Sequence, residues 1–177
     1  MNSSTQVVLL VSPLDAPLGT CSKQQAHVEG KLHRAFSVFL TDENGDLLLQ
    51  RRALTKYHSG GLWTNACCSH PVGEDLTDAG VRLKEELGVE AQLREVGHFV
   101  YRHVFENGMT EYEFDHVLLG QIPHSTPLSP APEEADAVEW MSAEELRRQL
   151  TETPEKFTPR YWWLRAIIFT VRPSEWS

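Results

Sequence analysis

Cysteine, long apolar runs and positive charge are all scarce in this chain of 177 residues, and each scarcity removes a class of protein. Three cysteines, Cys21, Cys67 and Cys68, are an odd number in a chain long enough to bury a sizeable core, which argues against a secreted disulfide framework and for a reducing compartment. The apolar run at 7–11 is too short for a signal-peptide core or a membrane span, the run at 161–171 is broken by Arg165, and the first residues, Met-Asn-Ser-Ser-Thr-Gln, carry no positive charge. A cytoplasmic protein without membrane contact is expected. A formal net charge of −9, with no Lys/Arg run to neutralise phosphates along a strand, argues against a nucleic-acid partner, so any phosphate must be met by a local cluster. No repeat or low-complexity segment is present, and monomer and homodimer both stay open.

What is present is ordinary for a folded protein: 41% hydrophobic and 23% charged residues place the chain among globular domains, and its length implies one domain over 1–177. Strand-like runs occupy 6–12, 35–41, 47–52 and 63–68, with turn signals at Pro13-Leu14-Asp15, Glu43-Asn44-Gly45-Asp46 and Ser59-Gly60-Gly61. The second and third runs are expected to form a hairpin. Leu76, Ala79, Gly80, Leu83 and Leu87 recur at helical spacing, predicting a helix over 75–87 that Gly88 ends. Strand patterns return at 93–105, 111–121 and 137–140, and the Pro-rich stretch 122–132 reads as a loop. Ser142-Ala143-Glu144-Glu145 is a capping box opening a helix, and a last helix is expected over 158–171, with Pro159 in its first turn and Pro173 beyond its end. Strands mixed with a few helices in no regular alternation imply an α/β or α+β fold, a mixed β-sheet flanked by helices.

Several residues could carry chemistry. Of eight histidines, His27 and His33 bracket a turn-like stretch in which Gly30 lets the chain fold back and bring both imidazoles to one point. Glu111 and Glu113 are two apart in a strand-like run and therefore share a face. Such close like charges need a cation between them or a proton on one, unless the pair is simply a solvated strand face. If 63–70 is extended, Cys68 and His70 share one face, while Asn65, Cys67 and Ser69 share the other. Adjacent cysteines cannot easily supply two tetrahedral zinc ligands, and a disulfide between them would be strained. Arg52 and Lys56 lie in a basic run leading to a Gly-rich turn, where they could grip an anion or merely decorate a surface.

Taken together, the segments at 23–37, 48–56 and 61–71, with Glu85-Glu86-Leu87-Gly88, Glu111-Tyr112-Glu113 and Phe157-Thr158-Pro159, resemble the type I isopentenyl diphosphate isomerases, a family with a Nudix-like fold. The resemblance covers nearly the whole chain. It implies conversion of isopentenyl diphosphate to dimethylallyl diphosphate, a 1,3 proton shift in isoprenoid biosynthesis. Protonating an unactivated alkene creates a tertiary carbocation, which demands a positioned acid, a base on the other side, a water-poor pocket and aromatic faces.

The same resemblance implies that Cys68 and Glu113 are the catalytic pair, with Tyr101 hydrogen-bonding Glu113. It implies a metal site of His27, His33, His70, Glu111 and Glu113, whose nitrogen and oxygen donors suit Mg²⁺, Mn²⁺ or Zn²⁺ alike. The allylic or homoallylic diphosphate would meet Lys23, Arg52, Lys56, Arg82 and the backbone N–H of Ser69, with a second Mg²⁺ between it and Glu86. The chain departs from the family pattern at Arg160, where Trp often follows Phe-Thr-Pro, so Trp162, Trp63 or another aromatic would face the carbocation. Two other readings compete. A Nudix hydrolase expects an Arg-Glu pair on the helix where Val81 and Arg82 stand, and a further glutamate at Ala79. A zinc-binding interaction module built on Cys67, Cys68 and His70 leaves Glu111, Glu113 and the basic cluster unexplained.

Overall fold

A computed structural model describes residues 6–71 and 76–160. The chain opens with an antiparallel pair, β1 (Val7–Val11) and β2 (Pro17–Ser22), and passes directly into α1 (Lys23–Glu29). Ser22 caps α1, its hydroxyl accepting the Gln25 N–H at 3.1 Å. Gly30 ends the helix at φ 64°, with its N–H turned back to the Ala26 carbonyl. The fold-back expected between His27 and His33 is therefore a helix end: His27 lies inside α1, and the turn itself begins only after Glu29.

The centre of the molecule is β3 (His33–Thr41), buried along its whole length, as a strand covered on both faces must be. It pairs in parallel with β8 (Thr110–Gln121) and antiparallel with β6 (Cys67–Ser69), and β8 pairs antiparallel with β7 (Arg94–Val104). The strand after β3, β4 (Leu47–Arg52), meets it at one pair only, Thr41↔Leu47. It then runs between β5 (Trp63–Thr64) and β9 (Ala135–Met141). The expected hairpin thus exists only at its turn, because β6 and β8 already occupy the two edges of β3.

Strand parity divides the core into two. Phe36, Val38 and Leu40 of β3 face α2 (Asp78–Leu87), which buries Ala79, Leu83 and Leu87. On the other face, Phe39 joins Leu49, Val117, Leu119 and Phe157 beneath α3 (Ala143–Glu152), which buries Leu146 and Leu150. Each fully buried leucine contributes roughly 1.5–3 kcal/mol, so these two stripes fix both helices to the sheet. Of the expected capping box, the N-cap half is present: the Ser142 hydroxyl accepts the Glu145 N–H, while the Glu145 carboxylate accepts from Arg148 and Gln149 instead. The helix expected over 75–87 begins at Asp78 in the described residues, and the one expected over 158–171 lies almost wholly outside them. No helix among the described residues is long and apolar enough to cross a membrane.

Candidate active site

The site is the polar end of the sheet face that α3 covers. Along β8, Glu111, Glu113, Asp115, Val117 and Leu119 share that face; the last two are core and the first three are buried carboxylates. On β3 the same face carries His33, Ala35, Ser37 and Phe39. Register sets His33 beside Glu113 on one side and Tyr101 of β7 beside Glu113 on the other.

Three imidazoles converge on Glu113. His70 Nε2 stands 3.0 Å and His33 Nε2 3.6 Å from its Oε1. The His33 ring centroid is 5.3 Å from that of His27 and 5.0 Å from that of His70. One ligand atom each from His27, His33, His70 and Glu113 falls within 4.8 Å of the others. The Lys31 carbonyl, 2.8 Å from His33 Nδ1, holds the proton there and leaves Nε2 as a lone pair. His27 Nε2 and His33 Nε2 are buried with no hydrogen-bond partner among the described residues. Orphaned buried lone pairs cost about 1–3 kcal/mol each, and a cation is the partner they fit. Burial lowers His27 to about 4 and holds His70 well below the usual imidazole range, so both are neutral donors at pH 7.

The other oxygen of Glu113 faces away from the imidazoles. Tyr101 OH donates to Oε2 at 2.9 Å, and Arg160 Nη2 also donates to it. Arg160 Nε donates to Tyr101 OH at 3.0 Å and stands 3.5 Å from Asp115 Oδ2, which accepts from Ser37 Oγ at 2.8 Å. Burial alone would raise Glu113, but the Arg160 charge and the hydrogen bond from His70 hold it well below the usual carboxylate range. Burial, then the neighbouring Glu113 charge, pushes Glu111 up, and burial lifts Asp115 to about 7. Glu111 stays outside the four-residue group: its carboxylate lies 3.5 Å from Arg160 and 3.8 Å from His58.

The two adjacent cysteines separate as strand parity requires. Ser37 is the register partner of Cys68, which puts this thiol on the face of His33 and Glu113. Cys67 opposes Val38 and packs, fully buried, under α2. Asn65 departs from the expected alternation, because the run at 63–68 is two short strands with a crossing at Asn65 and Ala66. Its Nδ2 donates to the carbonyls of Val38 and Cys67 at 2.9 and 2.8 Å, and its Oδ1 accepts from Cys68 Sγ at 3.2 Å. Burial pushes the Cys68 thiol up, keeping it protonated at neutral pH.

Cys68, Ser69, His70 and Glu111 line a cleft of about 1160 Å³, as do Lys23, Arg52, Lys56 and Arg82. Every cation expected to meet a diphosphate therefore opens on one space. Burial lowers Lys23 to about 8. Arg52 Nε and Arg82 Nε are buried without a hydrogen-bond partner among the described residues. Arg82 pairs with Glu86 at 2.7 Å, and Lys56 pairs with Glu134. Trp63 is not among the cleft residues; it packs beside the core under α3, with Arg51 above its ring. Trp162 lies outside the described residues.

A NUDIX domain matches residues 31–161. An isopentenyl-diphosphate Delta-isomerase of Photorhabdus laumondii is 42% identical over 165 residues, covering 92% of this chain and 90% of that protein. One from Pectobacterium atrosepticum is 41% identical over 172 residues, covering 96% and 93%. This chain belongs to the isopentenyl-diphosphate Delta-isomerase family. Among solved structures, one from Deinococcus radiodurans shares the fold at a TM-score of 0.67 and 18% identity, covering 84% of this chain and 90% of that one.

The fold brings four further groups to the site of this isomerase, of which the sequence singles out only Arg160, as a departure from the family pattern. Asp115 continues the Glu111, Glu113 period by one step, a signal legible in the sequence. Arg160 has no such signal, since only tertiary packing buries it among carboxylates. His58, stacked on Phe105 at 4.7 Å, and Glu134, between Lys56 and Arg82, sit on loops without periodicity.

Proposed function

We propose that this protein interconverts isopentenyl and dimethylallyl diphosphate by a metal-dependent 1,3 proton shift, with Cys68 and Glu113 exchanging the two protons. The observation that carries this reading is the meeting of His27, His33, His70 and Glu113 on the sheet face that also bears Cys68, at a cleft lined by Lys23, Arg52, Lys56 and Arg82.

The cations hold the diphosphate, Arg by its fork and Lys as a point charge, with the Ser69 N–H beside them. Burial keeps the Cys68 thiol protonated and so able to deliver a proton, while Asn65 fixes its direction. A proton adds to the terminal alkene carbon, leaving a tertiary cation, and a second proton leaves the carbon two bonds away. Tyr101 holds the Glu113 carboxylate in place, and the buried walls exclude the water that would trap the cation.

The orphaned imidazole nitrogens and Glu113 fit Mg²⁺, Mn²⁺ or Zn²⁺, with Glu111 next along the strand as a further carboxylate. Such an ion supplies Lewis-acid charge that fixes and polarises the Glu113 carboxyl group. Glu86 accepts from Arg82 and Gln50, lines the cleft, and would meet a Mg²⁺ that arrives on the diphosphate. Incubating the purified protein and Mg²⁺ with isopentenyl diphosphate tests the reaction. Dimethylallyl diphosphate should appear, whereas released phosphate would indicate a hydrolase, and no reaction would leave only a binding protein.

A further inference from the structure

Arg160 is the one Arg or Lys within 4.0 Å of Glu111, Glu113 or Asp115 among the described residues. Its side chain is 8% exposed, and those of Glu113 and Asp115 are sealed from solvent. Buried carboxylates without compensation are expensive. A single guanidinium thus faces three carboxylates. The contacts are also divided by atom: Arg160 and Tyr101 take Oε2 of Glu113, and His33 and His70 face Oε1.

We propose that Arg160 is a built-in countercation of the metal centre, a positioning residue that holds Oε2 of Glu113 so that Oε1 alone turns to the imidazoles. Its fixed charge sets how tightly the centre holds a divalent ion. This rests on the reading of His27, His33, His70 and Glu113 as ligands. A positive charge on one side of a carboxylate repels a dication on the other, and the lower dielectric around buried groups strengthens that repulsion. Removing the charge should therefore tighten metal binding, whereas loss of a merely structural residue would weaken it.

The test is titration of metal-depleted protein with Mn²⁺, following bound ion by electron paramagnetic resonance. Wild type and Arg160→Lys should each bind one Mn²⁺ with similar affinity, and Arg160→Gln should bind it about tenfold tighter or more. In Arg160→Gln kcat should fall while KM for isopentenyl diphosphate changes little, because the carboxylate loses its hold and the diphosphate cations do not. Should Arg160→Gln be too unstable to titrate, the rise in Tm on adding Mn²⁺ should be larger for Arg160→Met than for Arg160→Lys. One ion on the wild type with equal or weaker binding in the neutral variants overturns the role of Arg160 and spares the metal centre. No bound Mn²⁺ on any of them overturns both.

Discussion

Replacing the two adjacent cysteines one at a time separates packing from chemistry. Cys67 is fully buried between Val38 and the Leu83 face of α2, so Cys67→Ala removes a sulfur from a closed core. By comparison with other single-group core deletions the cost is about 1–2 kcal/mol. In a chain of this size that lowers Tm by roughly 2–8 °C and leaves turnover at 25 °C near wild type. Cys68 is half-buried and lines the cleft, with one polar partner, Asn65. Cys68→Ala should move Tm less, but it removes a proton-transfer group, an effect of about 10²–10⁴-fold on kcat. That corresponds to roughly 3–5 kcal/mol of barrier. The assay is conversion of radiolabelled isopentenyl diphosphate to its acid-labile isomer, run well below the Tm of both variants, with circular dichroism to confirm folding. Similar losses of kcat in the two variants, or a larger one in Cys67→Ala, would refute the separation by face.

Three further outcomes are expected. Chelation should abolish turnover and a divalent ion restore it, with Tm rising by the equivalent of about 2.7 kcal/mol at a hundred times Kd; full activity in metal-free protein would remove the metal centre. Metal-free protein should lose stability as pH falls from about 6.5 toward 4. His27 is held near 4 when folded and returns to an ordinary imidazole value near 6.5 when unfolded, so the unfolded chain binds more protons in that window. Its contribution is complete above pH 6.5, and urea unfolding of His27→Gln should show a flatter slope. Arg52→Ala and Lys56→Ala should raise KM about tenfold with a smaller change in kcat; a pure kcat effect in steady-state kinetics would place the diphosphate elsewhere.

Elements with a strong internal period are legible in the sequence. β3, β4, β7, β8 and β9 fall within two residues of their expected bounds at every end, and α2 and α3 carry the apolar spacing that predicts them. β2 and α1 lack such a pattern: Pro17 and Gly19 interrupt the strand, and the seven residues of α1 hold no apolar stripe. Their order comes from Ser22, Gly30 and contact with β1 and β8, which no local pattern reports. The solitary β3–β4 pair is likewise a long-range outcome, decided by β6 and β8. At the site, parity alone placed Glu111 with Glu113 and Cys68 with the histidine face. His27 needed the bend at Gly30, and Arg160 needed the whole fold.

One consequence of α1 concerns the sequence of events in folding. A helix of seven residues is far too short to persist alone in water, yet it delivers one of the three imidazoles. His33 and Glu113 are joined by the long β3–β8 ladder and meet as soon as it zips, whereas His27 arrives only when α1 docks. An ion shared by the three histidines would thus act as a clasp, fastening the N-terminal segment to a sheet already built. Metal loss would loosen that end first, before the strands beneath it part.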